Sequence, residues 1–376
     1  ALMADAPVDG PTGIAHTRWA THGKPNETNA HPHVSGKVAI VHNGIIENFR
    51  ELRKDLQARG RTFESETDSE VIAQLIDQNM AEGMDAVDAF EAALKNLSGA
   101  FAIAAIFSGK TDLLMGARKG SPLVLGYGQG EMFLGSDAIA LAPLTRDVTY
   151  LEEGDWVVLT PTSHDVRNAN GDRVNRPRVK SAVNEGLIER GEYDHFMLKE
   201  IHEQPESLAR SILPYIDQAT QTLNLGDVAD TMFAKADRAV AIACGTAYYA
   251  AHTAKYWFEQ KAKLAFETDI ASEFRYREPV LPQTGPAMFV SQSGETADTL
   301  AALRYCRQNG TPAVAVVNVP ESSIAREAAA IVPTYAGPEI GVASTKAFTA
   351  QLSVLAVLAL NAAKARGHLL PGDEVM

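Results

Sequence analysis

From Ala239 onward the chain writes one local pattern three times, and that repetition constrains its fold more than any other feature. Ala239 to Ala243, Ala287 to Val290 and Ala313 to Val317 are short apolar runs. Cys244-Gly245-Thr246 and a helical pattern through Lys261 follow the first. Ser291-Gln292-Ser293-Gly294-Glu295-Thr296 and a helical pattern to Gln308 follow the second, and Asn318-Val319-Pro320 follows the third. Strands with no polar alternation are buried on both faces, and strand–turn–helix repetition buries them as a parallel sheet between helices. A doubly wound α/β domain is expected over 226–376. No internal period suggests a solenoid.

The first part reads differently. Thr12 to His16, Val38 to His42, Ala100 to Phe107, Leu113 to Ala117 and Trp156 to Leu159 are β-rich or apolar runs bounded by turn residues. Ile46 to Ala58, closed by Gly60, and Ser69 to Met80, with Asp68 placed as its N-cap, read as helices. Because strands and helices do not alternate regularly, residues 1–170 are expected to form a layered α+β domain. Asn168 to Gly191, rich in Arg, Asn, Gly and Pro, reads as a turn and then linker. His195 to Leu223 reads as a helix interrupted by Pro205 and Pro214. Residues 171–225 thus connect the domains.

Charge and cysteine usage narrow the function. With 34 basic and 47 acidic residues the formal charge is −13, which disfavours binding to nucleic acid or anionic lipid. An anionic small molecule remains accessible, because helix N-termini and backbone amides hold phosphate irrespective of net charge. The two cysteines, Cys244 and Cys306, have no CxxC spacing, so a reducing cytoplasm is expected. The longest apolar run, Leu352 to Ala363, contains Ser353 and Asn361, and no membrane span is expected.

In an open parallel sheet, ligands sit beyond the carboxyl ends of the strands. Here those ends carry Gly245, Thr246, Ser291, Ser293, Gly294, Thr296 and Ser344, small residues with neutral donors suited to a phosphate. The alternative for each Ser or Thr is a plain N-cap. No GxGxxG or GxxxxGK[ST] is present, so a phosphorylated small molecule is favoured over a nucleotide. Ser291-Gln-Ser-Gly-Glu-Thr-Ala-Asp-Thr299, Ala271-Ser-Glu-Phe-Arg-Tyr-Arg277 and Gly341-Val-Ala-Ser-Thr-Lys-Ala-Phe348 resemble the sugar isomerase (SIS) domain of the glutamine–fructose-6-phosphate aminotransferase family. That resemblance implies a sugar-phosphate site formed by Thr246, Ser291, Gln292, Ser293 and Thr296, with Val342 and Ser344 nearby. Ala247 stands where the family commonly has Ser, which puts one hydroxyl contact in question. Lys346, in the first turn of a helix, fits a phosphate neighbour better than a Schiff-base lysine.

In the first part, five of the ten histidines fall between His16 and His42. Without a cysteine or HExxH among them, no metal is expected. Arg18 can pair with a carboxylate, Asp68 can meet an ammonium, and Asn43-Gly44 can face an oxyanion, which together suit an amino-acid amidase. The dull alternatives are an ion pair, an N-cap and a turn. His16-Thr-Arg-Trp-Ala-Thr-His-Gly23, Ala30-His-Pro-His33, His42-Asn-Gly-Ile-Ile-Glu-Asn48 and Ser65-Glu-Thr-Asp68 resemble the class II glutamine amidotransferase domain of the same family, an αββα Ntn-hydrolase-like fold. The resemblance implies Arg18, Thr21, His22 and Asp68 as glutamine ligands, Asn43 and Gly44 as the oxyanion hole, and Trp19 as a gate for ammonia. Asp194 to Pro205 resembles the family's connecting segment.

The implied activity is synthesis of glucosamine 6-phosphate from L-glutamine and fructose 6-phosphate, without cofactor, in a homodimer joined through SIS domains. The family's N-terminal Cys-Gly-Ile is not seen, since residue 1 is Ala1, and neither is a second SIS domain. The chain alone is therefore expected to bind without turnover. A non-catalytic phosphosugar-binding or sensing protein is the competing reading. A phosphoribosyl-transferring class II amidotransferase is disfavoured by the SIS loops.

Overall fold

The computed structural model describes residues 10–18, 22–181, 189–217, 219–220, 222–225 and 228–369. The chain divides into two compact units, Ala1–Glu185 and Gly186–Met376.

The first unit is built on two antiparallel sheets. Its strands are β1 (His33–Ser35), β2 (Val38–Ile46), β3 (Gly99–Phe107), β4 (Lys110–Lys119), β5 (Val124–Tyr127), β6 (Met132–Gly135), β7 (Asp147–Tyr150), β8 (Trp156–Leu159), β9 (His164–Arg167) and β10 (Val179–Lys180). The larger sheet runs β1-β2-β3-β4-β8-β9 and the smaller β10-β7-β5-β6. Strand β3 explains the layering. Phe101, Ile103, Ala105 and Phe107 turn one way, into the cluster shared with helices α1 (Phe49–Ala58), α2 (Glu70–Ala81) and α3 (Ala86–Asn96). Ala102 turns the other way, against Leu125 and Leu134 of the smaller sheet. Period-two alternation along one strand thus serves two cores. A one-turn helix, α4 (Ala138–Leu141), puts Leu141 on the far face of the smaller sheet with Val124 and Val148. The order is helix, sheet, sheet, helix.

Helix α3 starts where Asp85 accepts from the N–H groups of Val87 and Asp88. It buries Phe90 against Trp156, with ring centroids 6.4 Å apart, and a buried Phe contributes about 1.5–3 kcal/mol.

In the second unit, α5 (Phe196–His202), α6 (Gln204–Ile212) and the short pair β11 (Ile216–Asp217) and β12 (Thr222–Leu223) precede α7 (Val228–Met232). The sheet follows: β13 (Arg238–Ala243), α8 (Gly245–Lys261), β14 (Ala265–Ile270), α9 (Ala271–Phe274), β15 (Ala287–Ser291), α10 (Ala297–Gln308), β16 (Ala313–Val317), α11 (Ser323–Glu327), β17 (Ala330–Pro333) and α12 (Lys346–Ala365). Its order is β14-β13-β15-β16-β17, all parallel. Helices α8 and α12 cover one face, and α9, α10 and α11 the other. This is the doubly wound arrangement, with its switch point between β13 and β15.

Several local readings change. Thr12 to His16 forms no strand; its residues alternate between half-buried and exposed, but no ladder partner lies beside it among the described residues. Ile46 closes β2, so α1 begins later than its apolar pattern. Asp68 does not cap α2, because its Oδ2 accepts from the Ile46 N–H at 2.8 Å and Ser69 occupies the cap position. Residues 171–181 belong to the first unit: Arg176 donates two hydrogen bonds, 2.8 and 2.9 Å, to fully buried Asp155, and β10 pairs with β7. The helix expected from His195 divides into α5 and α6, with Pro205 in the first turn of α6, where no N–H is required. Pro214 lies in the 3₁₀ turn that ends α6. Helix α12 is long and apolar enough to cross a membrane by length and composition, which the broken apolar run conceals. Its most apolar window is 67% buried, as a core helix of the parallel sheet.

Candidate functional sites

A cavity of about 250 Å³ in the first unit is lined by His16, Arg18, His22, His31, His42, Asn43, Gly44, Ile45, Thr67, Asp68 and Ser69. Five expected residues, Arg18, His22, Asn43, Gly44 and Asp68, therefore meet at one place. Trp19 and Thr21 lie outside the described residues. The end of β2 supplies Asn43 and Gly44, and the turn before α2 supplies Asp68. Gly44 has φ 123°, and a Cβ there would lie 2.0 Å from the Ala100 carbonyl oxygen, so only glycine fits.

Hydrogen bonds orient the polar groups. The Arg18 N–H donates to His16 Nδ1 at 2.9 Å, which makes Nε2 the ring's donor. Nε2 lies 2.6 Å from Asn43 Oδ1. With its oxygen engaged, the Asn43 amide keeps both N–H groups for an incoming acceptor, as an oxyanion hole requires. Asp68 is buried, and its Oδ1 stands 3.6 Å from His22 Nδ1. The Arg18 guanidinium bonds the carbonyls of His22, Gly23 and Lys24 rather than a carboxylate.

The histidine cluster is largely a packing device. His31 meets His16 and His33 edge to face, with centroids 4.2 and 4.8 Å apart. Burial, with the neighbouring charges of His16, His33, His42 and Arg18, lowers the His31 pKa to about 3. Burial also lowers that of His42, against the opposing pull of Asp68; its Nδ1 lies 2.9 Å from Ser69 Oγ. Both rings are neutral near pH 7.

In the second unit a cavity of about 220 Å³ opens at the switch point, and Thr246, Ser291, Gln292, Ser293, Thr296, Val342 and Ser344 all line it. Thr246 lies in the first turn of α8, and Thr296 is the N-cap residue of α10. The simple capping alternative is not realised there. Thr296 makes no side-chain cap, and its Oγ1 lies 3.1 Å from Ser291 Oγ, which accepts the Gly294 N–H at 3.0 Å. Ser322 does cap α11, accepting from the Ala325 N–H. Gly294, at φ 65°, passes so close to Ser322 that a Cβ would sit 1.9 Å from its Oγ. Two helix N-termini and this hydroxyl-bearing loop converge, a natural anion site.

Sequence reasoning missed Glu339, Gly341 and Gln351 of the same lining. Gln351 is buried, one turn and a half into α12, and its Oε1 has no partner. A polar residue at the helical spacing of the apolar stripe was the available signal. Ala247 lines the cavity with a methyl group. Lys346 does not line it; its buried ammonium is bonded to Glu203.

Residues 16–143 match the family model described as a glutamine amidotransferase domain, and 232–361 match the SIS domain. The glutamine–fructose-6-phosphate aminotransferases (isomerizing) of Bradyrhizobium diazoefficiens and Caulobacter vibrioides are each 55% identical to this chain, over 368 and 374 residues. These alignments cover 98% and 100% of the chain. The chain belongs to the glutamine–fructose-6-phosphate aminotransferase family. It spans about three fifths of its curated relatives, 60% and 61% of their lengths. A solved C-terminal domain of a glucosamine-fructose-6-phosphate aminotransferase from Francisella tularensis is 44% identical, covering 48% of this chain and 51% of that one, with a TM-score of 0.46. The amidotransferase match contains the whole lining of the first cavity. The SIS match contains the whole lining of the second.

Proposed function

We propose that this chain serves glutamine-dependent formation of glucosamine 6-phosphate from fructose 6-phosphate, in the cytoplasm and as a homodimer through its SIS unit. The observation that carries the reading is the pair of cavities, each within its own matched domain and each lined by the residue types its substrate needs. In the first, Asp68 takes the ammonium of L-glutamine, Arg18 and His22 with Thr21 hold its carboxylate end, and Asn43 with Gly44 stabilises the oxyanion. Trp19 gates ammonia. In the second, Ser291, Ser293 and Thr296 with Gln292 and Thr246 bind the phosphate and hydroxyls, and Val342 and Ser344 close the site. None of these roles calls for a metal or organic cofactor.

Titration calorimetry with fructose 6-phosphate tests the sugar site: Ser293→Ala should weaken binding by ~1 kcal/mol or more, the loss of one hydrogen bond to a charged ligand. Glutamine titration tests the other: Asp68→Asn should abolish measurable binding. Unchanged affinity in either variant removes that residue from its site.

A further inference from the structure

The segment ahead of the SIS match contains a helix whose burial is inverted. Helix α5 exposes Met197, Leu198 and Ile201 at 43%, 39% and 41%, yet buries the carboxylate of Glu200 at 2%. Burying an anion is costly unless donors meet it. Here they are backbone groups: Glu200 Oε1 accepts from the N–H of Ile340 at 2.6 Å and of Gly341 at 3.0 Å. A Cβ at position 341 would lie 2.5 Å from Glu200 Oε2, so a larger residue there would displace the carboxylate.

A second anchor follows within one helical turn. Glu203 accepts from the buried ammonium of Lys346, the first residue of α12, and lies 3.5 Å from Lys199 Nζ. Between these anchors the loop closes on itself. Glu339 accepts from Ser344 Oγ at 3.0 Å and from the Thr345 and Ala347 N–H groups at 2.8 and 3.1 Å. The strip so fixed, residues 339–346, supplies Gly341, Val342 and Ser344 to the second cavity. Neither Glu200 nor Glu203 lines that cavity.

We propose that Glu200 and Glu203 are positioning residues for the phosphosugar pocket, so that the connecting helix sets the pocket's affinity by holding the 339–346 loop in its binding shape. The inference rests on the phosphosugar reading above. A preformed loop spares the ligand the ordering of that backbone. Replacing the Glu200 carboxylate with an amide leaves one neutral carbonyl for the Ile340 and Gly341 N–H groups and turns Oε2, the second acceptor of the Gly341 N–H, into a donor facing it, so the charge-assisted hold on the loop weakens.

The test uses the whole chain, titrated with fructose 6-phosphate and followed by hydrogen exchange. Glu200→Gln should raise Kd at least ten-fold and speed exchange of the 339–345 amides, while β16 and the middle of α12 keep their protection. Glu203→Gln should act in the same direction. A purely structural role would lower stability and leave Kd unchanged in the folded protein. An unchanged Kd in Glu200→Gln, beside a weakened Ser293→Ala, overturns the proposal. If the wild-type chain binds no fructose 6-phosphate, the phosphosugar reading fails, and unaltered loop exchange in Glu200→Gln would then overturn the clamp as well.

Discussion

Replacing Gly294 with alanine probes the close approach that shapes the phosphosugar loop. Two costs act together. At φ 65° a Cβ-bearing residue is strained by about 1–2 kcal/mol. Independently, the new Cβ would lie 1.9 Å from Ser322 Oγ and 2.5 Å from Ser322 Cβ. Ser322 is buried and caps α11, so moving it forfeits a cap of about 1 kcal/mol. The sum is about 2–3 kcal/mol for Gly294→Ala. Ser322→Gly deletes both offending atoms and by itself loses only a few tenths of a kcal/mol of capping. In that background Gly294→Ala retains the backbone strain alone, about 1–2 kcal/mol. The double-mutant cycle should therefore show a coupling of about 1 kcal/mol or more. Native-state hydrogen exchange on peptides from α10 and β16 reads the opening free energy of the second unit without interference from the first. Equal costs of Gly294→Ala in the two backgrounds would refute the packing argument.

Gly44→Ala should destabilise the first unit by about 3 kcal/mol or more, combining a clash with the Ala100 carbonyl and a φ of 123°; urea unfolding reads it, and a loss under 1 kcal/mol would be inconsistent with the geometry. The first unit should also lose stability on acidification. The folded pKa of His42 lies below its unfolded value of 6.5, so its contribution is full above about pH 6.5 and is lost as pH falls toward the folded value. That loss runs at up to about 1.4 kcal/mol per pH unit, and a flat urea midpoint between pH 6.5 and 5 would contradict it. Burial raises the Cys306 thiol pKa to about 12, so brief alkylation of the native protein should spare Cys306 and label half-buried Cys244, as peptide mass spectrometry would show.

Where burial runs on both faces, local pattern and tertiary outcome coincide. That is why β13, β15 and β16, with α8 and α10 between them, are legible from apolar runs and turn chemistry. Strands β14 and β17 escape because they are edges: β14 carries three polar residues in a row, Glu267, Thr268 and Asp269, and β17 has only Val332 fully buried. Thr12 to His16 fails in the opposite direction, since alternation is a local property and a ladder needs a second backbone.

The candidate site divides the same way. Small, hydroxyl-bearing residues at strand ends are fixed by chain order, because a turn after a strand must place them at the sheet's edge; the Asn43-Gly44 pair instead lies inside β2, paired with Ala102 and Phe101 of β3, which only the ladder decides. Asp68 is different: a residue before a helix reads as a cap, and only the fold of β2 against α2 gives its carboxylate the Ile46 N–H instead. Glu200 is more distant still, 140 positions from Ile340 in the chain, and no periodicity links them. The sequence by itself determined two folding patterns and the chemistry each carries at its strand ends. Tertiary structure decided which carboxylates face a cavity and which are consumed holding its walls, because hydrogen-bond partners are chosen by proximity in space, and proximity across the chain exists only once both elements are packed.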